Sequence, residues 1–480
     1  MKRKFVTNLI LLLLLNLLVK PFWIFGIDRT VQNMVGDAQY GLYFALFNFS
    51  MILNILLDVG ITNYNNRNIA RHNFLLTKHL SNIVGLKLLL AIVYAVFSLI
   101  IAAVIGYNKI QFHLLFFLIF NQFLVSFILY LRSNITALHL FRTDCFLSVL
   151  DRTLMIVICS ILLYTDILGR PFNINWFVYA QTIAYILSAL ITFAVVLHKS
   201  GRISIHFNWK FFVVFLRKSY PYALLILLMS LYNRIDSVML ERLLPGITGK
   251  EQAGIYAQAF RLLDAVSMFG VLVSGLLLPI FSKMIKQGEQ VGEMVKLSFT
   301  MIIIPAIIIA VSSVYYDGEI MSLLYKSNTA YSSDILGLLM IGFTGIATTY
   351  IFGTLLTANG SLKQLNIMAF AGMILNVGLN LILIPKLQAY GSAYASLSTQ
   401  LFTGIAQLIL GIYIFKLKPG FLYIIQLIIF TGGIIFLAEL TTTIANWFYG
   451  YVILIAGALV FSVVIRLFNI RGILKIILYK

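Results

Sequence analysis

Charge is what this sequence has least of: 11% of its 480 residues are Asp, Glu, Lys or Arg, against about a quarter in an ordinary soluble domain. Too few polar groups are present to dress a water-facing surface. Acidic residues are the scarcer sign, 16 against 35 basic ones. Cysteine is confined to Cys145 and Cys159, which share one apolar segment without metal or redox spacing and read as small core residues. The six histidines, His72, His79, His113, His139, His198 and His206, fall in or near loops without ligand spacing, so no metal site is expected. No Walker sequence, HExxH or GxSxG occurs, and the connections are too short for a soluble catalytic domain. No cofactor and no enzymatic activity are expected, and an ATP-driven pump on this chain is disfavoured. Segments of about ten residues alternating apolar and polar, the mark of a transmembrane barrel, are also missing.

Hydrophobic residues make up 61% of the chain. They come in near-continuous runs of about 20, each long enough to cross a hydrocarbon core of about 30 Å as a helix. The opening Met1-Lys2-Arg3-Lys4 followed by leucines imitates a signal peptide, but Lys20-Pro21-Phe22-Trp23 stands where small cleavage-site residues belong. The segment reads as a retained first helix. Cuts at polar and Gly/Pro clusters give spans near 7–27, 40–62, 79–106, 112–131, 145–165, 176–197, 219–240, 253–281, 297–316, 334–358, 364–385, 391–415, 421–440 and 447–468. The predicted fold is all-α: a polytopic membrane protein of about 14 transmembrane helices. Its net charge of +19 is spread over short loops, which argues for membrane orientation and against nucleic acid. Arg67, Arg71, Lys78, Arg132, Arg142, the Lys199 to Lys218 stretch, Lys283, Lys286, Lys296, Lys416 and Lys418 gather on one set of alternating connections. The opposite set holds few, among them Arg29, Lys109, Arg170, Lys250, Lys326 and Lys386. The positive-inside rule therefore predicts both termini on the cytoplasmic side.

One octad occurs twice. Gly36-Asp37-Ala38-Gln39-Tyr40-Gly41-Leu42-Tyr43 and Gly249-Lys250-Glu251-Gln252-Ala253-Gly254-Ile255-Tyr256 both read G-x-x-Q-x-G-[LI]-Y. Each copy falls on the outer side just before an even-numbered span, six spans apart, which predicts two halves in parallel repeat. The expected division is a six-helix lobe over 1–200, a second over 201–416, and two additional helices over 417–480, with the basic Lys199 to Lys218 stretch as linker.

Four cations belong to no loop: Lys20, Lys87, Arg152 and Arg261. An ionisable group within a span needs a cavity or a partner, so each is a candidate site residue. Lys20 lies roughly 18 Å into its helix, past the midplane, beside Pro21, which removes a backbone donor. Arg261 lies roughly 12 Å from the outer edge of its helix with Asp264 one turn on, an arrangement that fits a local ion pair or a ligand site. Arg152 follows Asp151, and adjacent helix residues point apart, so the two are expected to take separate partners. Lys87 has a stem long enough to snorkel inward. Arg234 and Asp236 are expected as a salt bridge at the outer edge of the seventh helix, and Asp58 as a cap or a partner of Arg67 or Arg71. Pro21 and Pro305, inside helices, are candidate hinges or static kinks. A cavity with several cations and few unpaired carboxylates suits an anionic ligand, above all a phosphate, and a lipid-linked pyrophosphate sugar meets that demand.

These residues bring the chain to a known family. It resembles the polysaccharide transporter branch of the multidrug/oligosaccharidyl-lipid/polysaccharide exporter superfamily, the O-antigen and capsule flippases, over nearly its whole length. The resemblance rests on Gly36 to Tyr43, the Gly60-Ile61-Thr62-Asn63-Tyr64-Asn65-Asn66-Arg67-Asn68-Ile69-Ala70 segment, Arg234-Ile235-Asp236 and Gly254-Ile255-Tyr256. Further on it rests on Leu278-Pro279 and the series Asn376, Asn380, Ile384-Pro385 and Gly391. The family's Leu-Gly-Pro in the first loop reads Val35-Gly36-Asp37 here. The resemblance implies an alternating-access flippase that moves an undecaprenyl-pyrophosphate-linked oligosaccharide across a bacterial inner membrane, with the sugar and pyrophosphate in a cavity lined by Lys20, Arg152, Arg261, Arg234 and Lys87. Membrane lipids, a polysaccharide polymerase and other assembly proteins are its implied partners. Asp236 and Asp264 are candidates for ion coupling. A multidrug cation antiporter of the same superfamily would present acids to its ligand. A polysaccharide polymerase or ligase would carry a large outer loop, and a proton-translocating respiratory subunit would carry lysines in several midmembrane helices.

Overall fold

In a computed structural model of the chain the described residues are 14–62, 76–138, 140–165, 169, 171–200, 209–418 and 420–467, and all regular secondary structure among them is helical. Residues 14–22 form α1, which passes through a π-helical stretch, Trp23–Asp28, into α2, Arg29–Ile52, and a 3₁₀ turn, Asn54–Leu57. There follow α3 (Leu76–Ile105), α4 (Lys109–Ala137), α5 (Phe141–Tyr164), α6 (Ile174–Ser200) and α7 (Trp209–Leu243). Next come α8 (Gly246–Gln287), α9 (Gly292–Tyr315), the short α10 (Asp317–Leu324) and α11 (Thr329–Ala358). The last are α12 (Leu362–Leu387), α13 (Ala389–Phe415), α14 (Phe421–Thr442) and α15 (Trp447–Val464). Twelve of these, α3 to α9 and α11 to α15, are long and apolar enough to cross a membrane. With α1 and α2 they make fourteen helices, twelve of which are candidate spans. Outward faces such as those of Val104, Phe421 and Phe436 are exposed and apolar, as lipid contact requires.

Two sequence expectations change here. The loop expected between the first two spans is helical, and the only departure inside α2 is Gly36, whose φ of 77° and ψ of 169° are open to glycine alone. Both copies of the octad therefore sit within helices. Arg234 and Asp236 do not mark the outer edge, because α7 continues to Leu243. That extension puts Asp236 about 10 Å inside the end of the helix.

The chain forms two compact units, Met1–Gly254 and Ile255–Lys480, a boundary set by packing that differs from the division expected from the repeat. Helix α7 belongs with the first unit because its polar residues are satisfied there: Asn48 of α2 donates to Ser237 Oγ (2.8 Å) and Arg234 donates to Asn48 Oδ1 (3.5 Å). At its C-terminal end Gln111 donates to Glu241 (2.7 Å), and the Arg242 guanidinium lies 4.3 Å over the Tyr107 ring. Burial pushes the Tyr107 phenol above its ordinary range, with the Glu241 carboxylate adding to the effect. Elsewhere in this unit Gln181 of α6 donates to Tyr43 (2.9 Å), and Trp23 stacks on Phe177 at 5.8 Å.

In the second unit small residues let backbones approach. A Cβ on Gly345 of α11 would lie 2.5 Å from the Gln400 carbonyl carbon of α13, and one on Gly404 would lie 2.7 Å from the Gly345 oxygen. Such contacts replace the hydrophobic effect, which gives no net attraction between helices in lipid. Ser392 donates to Asn380 Oδ1 (2.8 Å), whose amide in turn reaches Asn376 Oδ1 (3.1 Å), closing a buried polar chain between α12 and α13. The two additional helices are docked on α9 and its end, through Thr300 and Tyr423 (2.7 Å) and through Tyr316, edge-on to Tyr451 at 5.6 Å.

Candidate functional site

The deep cations fall into distinct settings, and only two of them share one. In unit 1, Lys20 on α1 lies within electrostatic reach of Arg152 and Asp151 on α5 and of Arg132 on α4. Pro21 lies in α1 and the π-helical stretch begins two residues later. A proline removes one hydrogen bond and crowds the preceding turn, which is a cause of just such widening. The wider turn carries Trp23 toward Arg152, whose guanidinium lies 5.6 Å over the Trp23 ring and 6.0 Å from the Tyr185 ring of α6. Asn16 donates to Ser148 Oγ (3.0 Å), fixing α1 on α5. Arg132 binds Asp144 with two bonds, 2.7 and 3.1 Å. Asp151 is not turned away as expected: its Oδ2 lies 3.7 Å from Arg152 Nε. Arg132 and Arg152 thus each have a carboxylate beside them, Asp144 and Asp151, with Lys20 within electrostatic reach. Arg152 stands about 16 Å into α5, near the middle of a core of about 30 Å.

Lys87 does not snorkel. It is 1% exposed, and its ammonium is held by Asp58 (2.5 Å), the Leu57 carbonyl (2.9 Å) and Ser126 Oγ (3.0 Å), with Tyr130 beneath it at 5.9 Å. Asp58 therefore pairs with a residue of α3; its expected partners, Arg67 and Arg71, lie outside the described residues. Asp58 also takes the Thr62 hydroxyl and backbone N–H. The pair pins the 3₁₀ turn that ends α2 against α3 and α4. In unit 2, Arg261 lies 3.6 Å from Asp264, the local pair anticipated at that spacing. Asp236 is buried at 1%. Pro305 lies inside α9.

Three features of the site were not foreseen. Trp23 and Tyr185 as the aromatic faces of Arg152 needed the extra residue per turn of the π stretch, which only the Pro21-Phe22-Trp23 run hinted at. Asp28 reads as a loop residue in the sequence, yet it is 2% exposed and accepts a hydrogen bond from Tyr40 (2.8 Å). The Arg132–Asp144 pair joins residues assigned to a connection. Among the described residues no group of three or more His, Cys, Asp or Glu could hold a metal, and no disulfide joins Cys145 and Cys159, both buried.

Twelve helices long and apolar enough to cross a membrane, with buried and partnered charge among them, define a polytopic membrane fold. Residues 5–285 match the model of the family described as polysaccharide biosynthesis protein, and the chain belongs to that family. No curated relative matches it by sequence. Its fold is similar to that of the lipid II flippase MurJ in an inward closed conformation (TM-score 0.71, 16% identity, covering 98% of this chain and 100% of that one). It is also similar to an inward-facing multidrug resistance MATE family transporter of the MOP superfamily (0.61, 16%, 84% and 94%). A third similar structure is a MOP superfamily transporter from Pyrococcus furiosus with a binding pocket of reversed polarity (0.57, 17%, 85% and 93%).

Proposed function

We propose that the chain flips an undecaprenyl-pyrophosphate-linked oligosaccharide from the cytoplasmic to the outer leaflet of a bacterial inner membrane, both termini facing the cytoplasm. The observation that carries this reading is Arg152 in midspan, faced by Trp23 and Tyr185 and within electrostatic reach of Lys20. A diphosphate is recognised by such cations through charge-assisted hydrogen bonds, and the aromatic faces suit sugar rings. The parallel repeat over 1–200 and 201–416 supplies two halves for alternating access. The polyprenyl tail stays in the bilayer throughout. Family membership and likeness to a flippase named for lipid II support a lipid substrate. A drug antiporter needs acids facing its cationic ligand, and the midspan excess here is basic. Polymerases and other assembly proteins would take the product on the outer leaflet, and Asp236 and Asp264 are the acids we assign to any ion coupling.

Moving an anion outward across an inside-negative membrane releases about 2.3 kcal/mol per charge per 100 mV. Vesicles containing the protein and a fluorescent undecaprenyl-pyrophosphate oligosaccharide are expected to flip the lipid faster than protein-free vesicles, and faster still with the potential imposed. Flipping no faster than in protein-free vesicles contradicts the assignment; flipping indifferent to potential leaves ion coupling as the drive.

A further inference from the structure

The two copies of the octad touch. In unit 1, a Cβ on Gly41 would fall far inside contact distance of the Lys250 carbonyl oxygen and the Gly254 nitrogen, and 3.0 Å from Gly254 Cα. A Cβ on Gly254 would collide with the Asp37 carbonyl in the same way, 2.9 Å from Asp37 Cα. The sixth residue of one copy thus lies against the sixth residue of the other, backbone on backbone, and any side chain at either position forces the helices apart. A side-chain hydrogen bond crosses the contact: Gln32 Nε2 donates to the Gly254 carbonyl at 2.9 Å. Neither Gly41 nor Gly254 carries a side chain to interdigitate.

The copies differ in what surrounds them. Gly36, the first residue of the α2 copy, has φ +77° and breaks the helix five residues before the contact. Its counterpart Gly249 is packed against the last carbonyls of α7, 2.8 Å from Glu241 O by its Cβ position and 2.9 Å from Leu244 O. That end of α7 is fastened by Glu241 and Arg242 to Gln111 and Tyr107. One partner is therefore a jointed helix and the other a fixed corner. Only the start of α8, through Gly254, belongs to unit 1; the rest runs into the second unit.

We propose that the Gly41–Gly254 contact is a latch on the outer side, closed in this conformation and parted at Gly36 when the outer mouth opens to release substrate. This rests on the alternating-access reading above and on the orientation taken from the basic loops. A contact of glycine backbone on glycine backbone can be made and broken repeatedly, whereas interlocked side chains would have to be repacked at every cycle.

A cysteine at Ala253, which is fully buried, reports the latch. In the otherwise unchanged chain, in inside-out-free whole cells, A253C should react slowly with a membrane-impermeant maleimide. Gly41→Leu should raise its labelling rate about tenfold or more by removing the closed state, and Gln32→Ala, which adds no volume, about threefold. Gly378→Leu, at a position with nothing within 4 Å of its Cβ, should leave it unchanged. A folded Gly41→Leu protein in which A253C stays as protected as before overturns the latch. If Gly41→Leu does not fold, unaltered labelling in Gln32→Ala does the same. The labelling needs no substrate, so a latch that opens in a chain that flips no lipid would separate this inference from the function proposed above.

Discussion

Replacing Lys20 and Arg152 together with Ala, at unchanged membrane abundance, is expected to abolish surface polysaccharide and to lower flipping in vesicles about a hundredfold or more. Each lost charge-assisted hydrogen bond to a phosphate is worth about 1.5–3 kcal/mol, and about 1.4 kcal/mol is a factor of ten. The two cations act on one ligand, so the single changes should each cost less than the pair and should not add independently. Arg152→Lys keeps the charge but loses the planar face that lies over Trp23 and Tyr185. It should therefore fall between the parent and Arg152→Ala, about tenfold down. The Arg132–Asp144 pair provides the contrast: it is internally matched at 2.7 Å, and its loss should weaken the packing of α4 on α5 more than it weakens substrate binding. Surface polysaccharide displayed at normal levels by the Lys20/Arg152 double variant would remove the cationic cluster from the account.

Lys87→Ala is expected to be the most destabilising single change in the first unit. It would leave Asp58 without its ion pair and the Leu57 carbonyl and Ser126 without the ammonium. Breaking a buried pair from one side costs about 3–5 kcal/mol; since the Asp58 side chain is 28% exposed, about 3 kcal/mol is the appropriate end of that range. Replacing both partners, Lys87→Met with Asp58→Asn, should recover most of the loss, because no charge is then stranded. Unfolding of the reconstituted protein, compared across the parent, Lys87→Ala, Lys87→Met, Asp58→Asn and the Lys87→Met/Asp58→Asn double variant, measures it. A Lys87→Ala protein as stable as the parent, or a double variant as unstable as the single one, would show that the pair does not hold the end of α2 in place.

How far the sequence could be read follows from what each feature depends on. The twelve spans between Leu76 and Val464 were legible because lipid leaves the chain no alternative to helices of fixed length, and each apolar run there is a helix. The connection near Gly36 was misread because polar residues normally end a span, whereas Gln32 and Asp37 are buried in unit 1 and Gln32 has a partner on α8. Position along a helix gave the depth of Lys20 and Arg152 but not their meeting, which depends on the π stretch after Pro21 and on how α1 packs on α5. Lys87 and Asp58 are 29 residues apart in sequence, and nothing local in either segment announces the other. Arg261 and Asp264 were legible as a pair because three residues along a helix bring side chains to one face. The unit boundary at Gly254 was out of reach for the same reason: the octad repeat records chain order, while the boundary records which polar groups of α7 are satisfied by α2 and α4.

The central claim, that this chain flips a lipid-linked oligosaccharide, is tested most directly by deleting its gene in the host and measuring undecaprenyl-linked repeat units leaflet by leaflet. The account predicts complete repeat units accumulating on the cytoplasmic leaflet, reversed by the restored gene and not by the Lys20/Arg152 double variant. Repeat units accumulating on the outer leaflet, or unchanged in both, would contradict it.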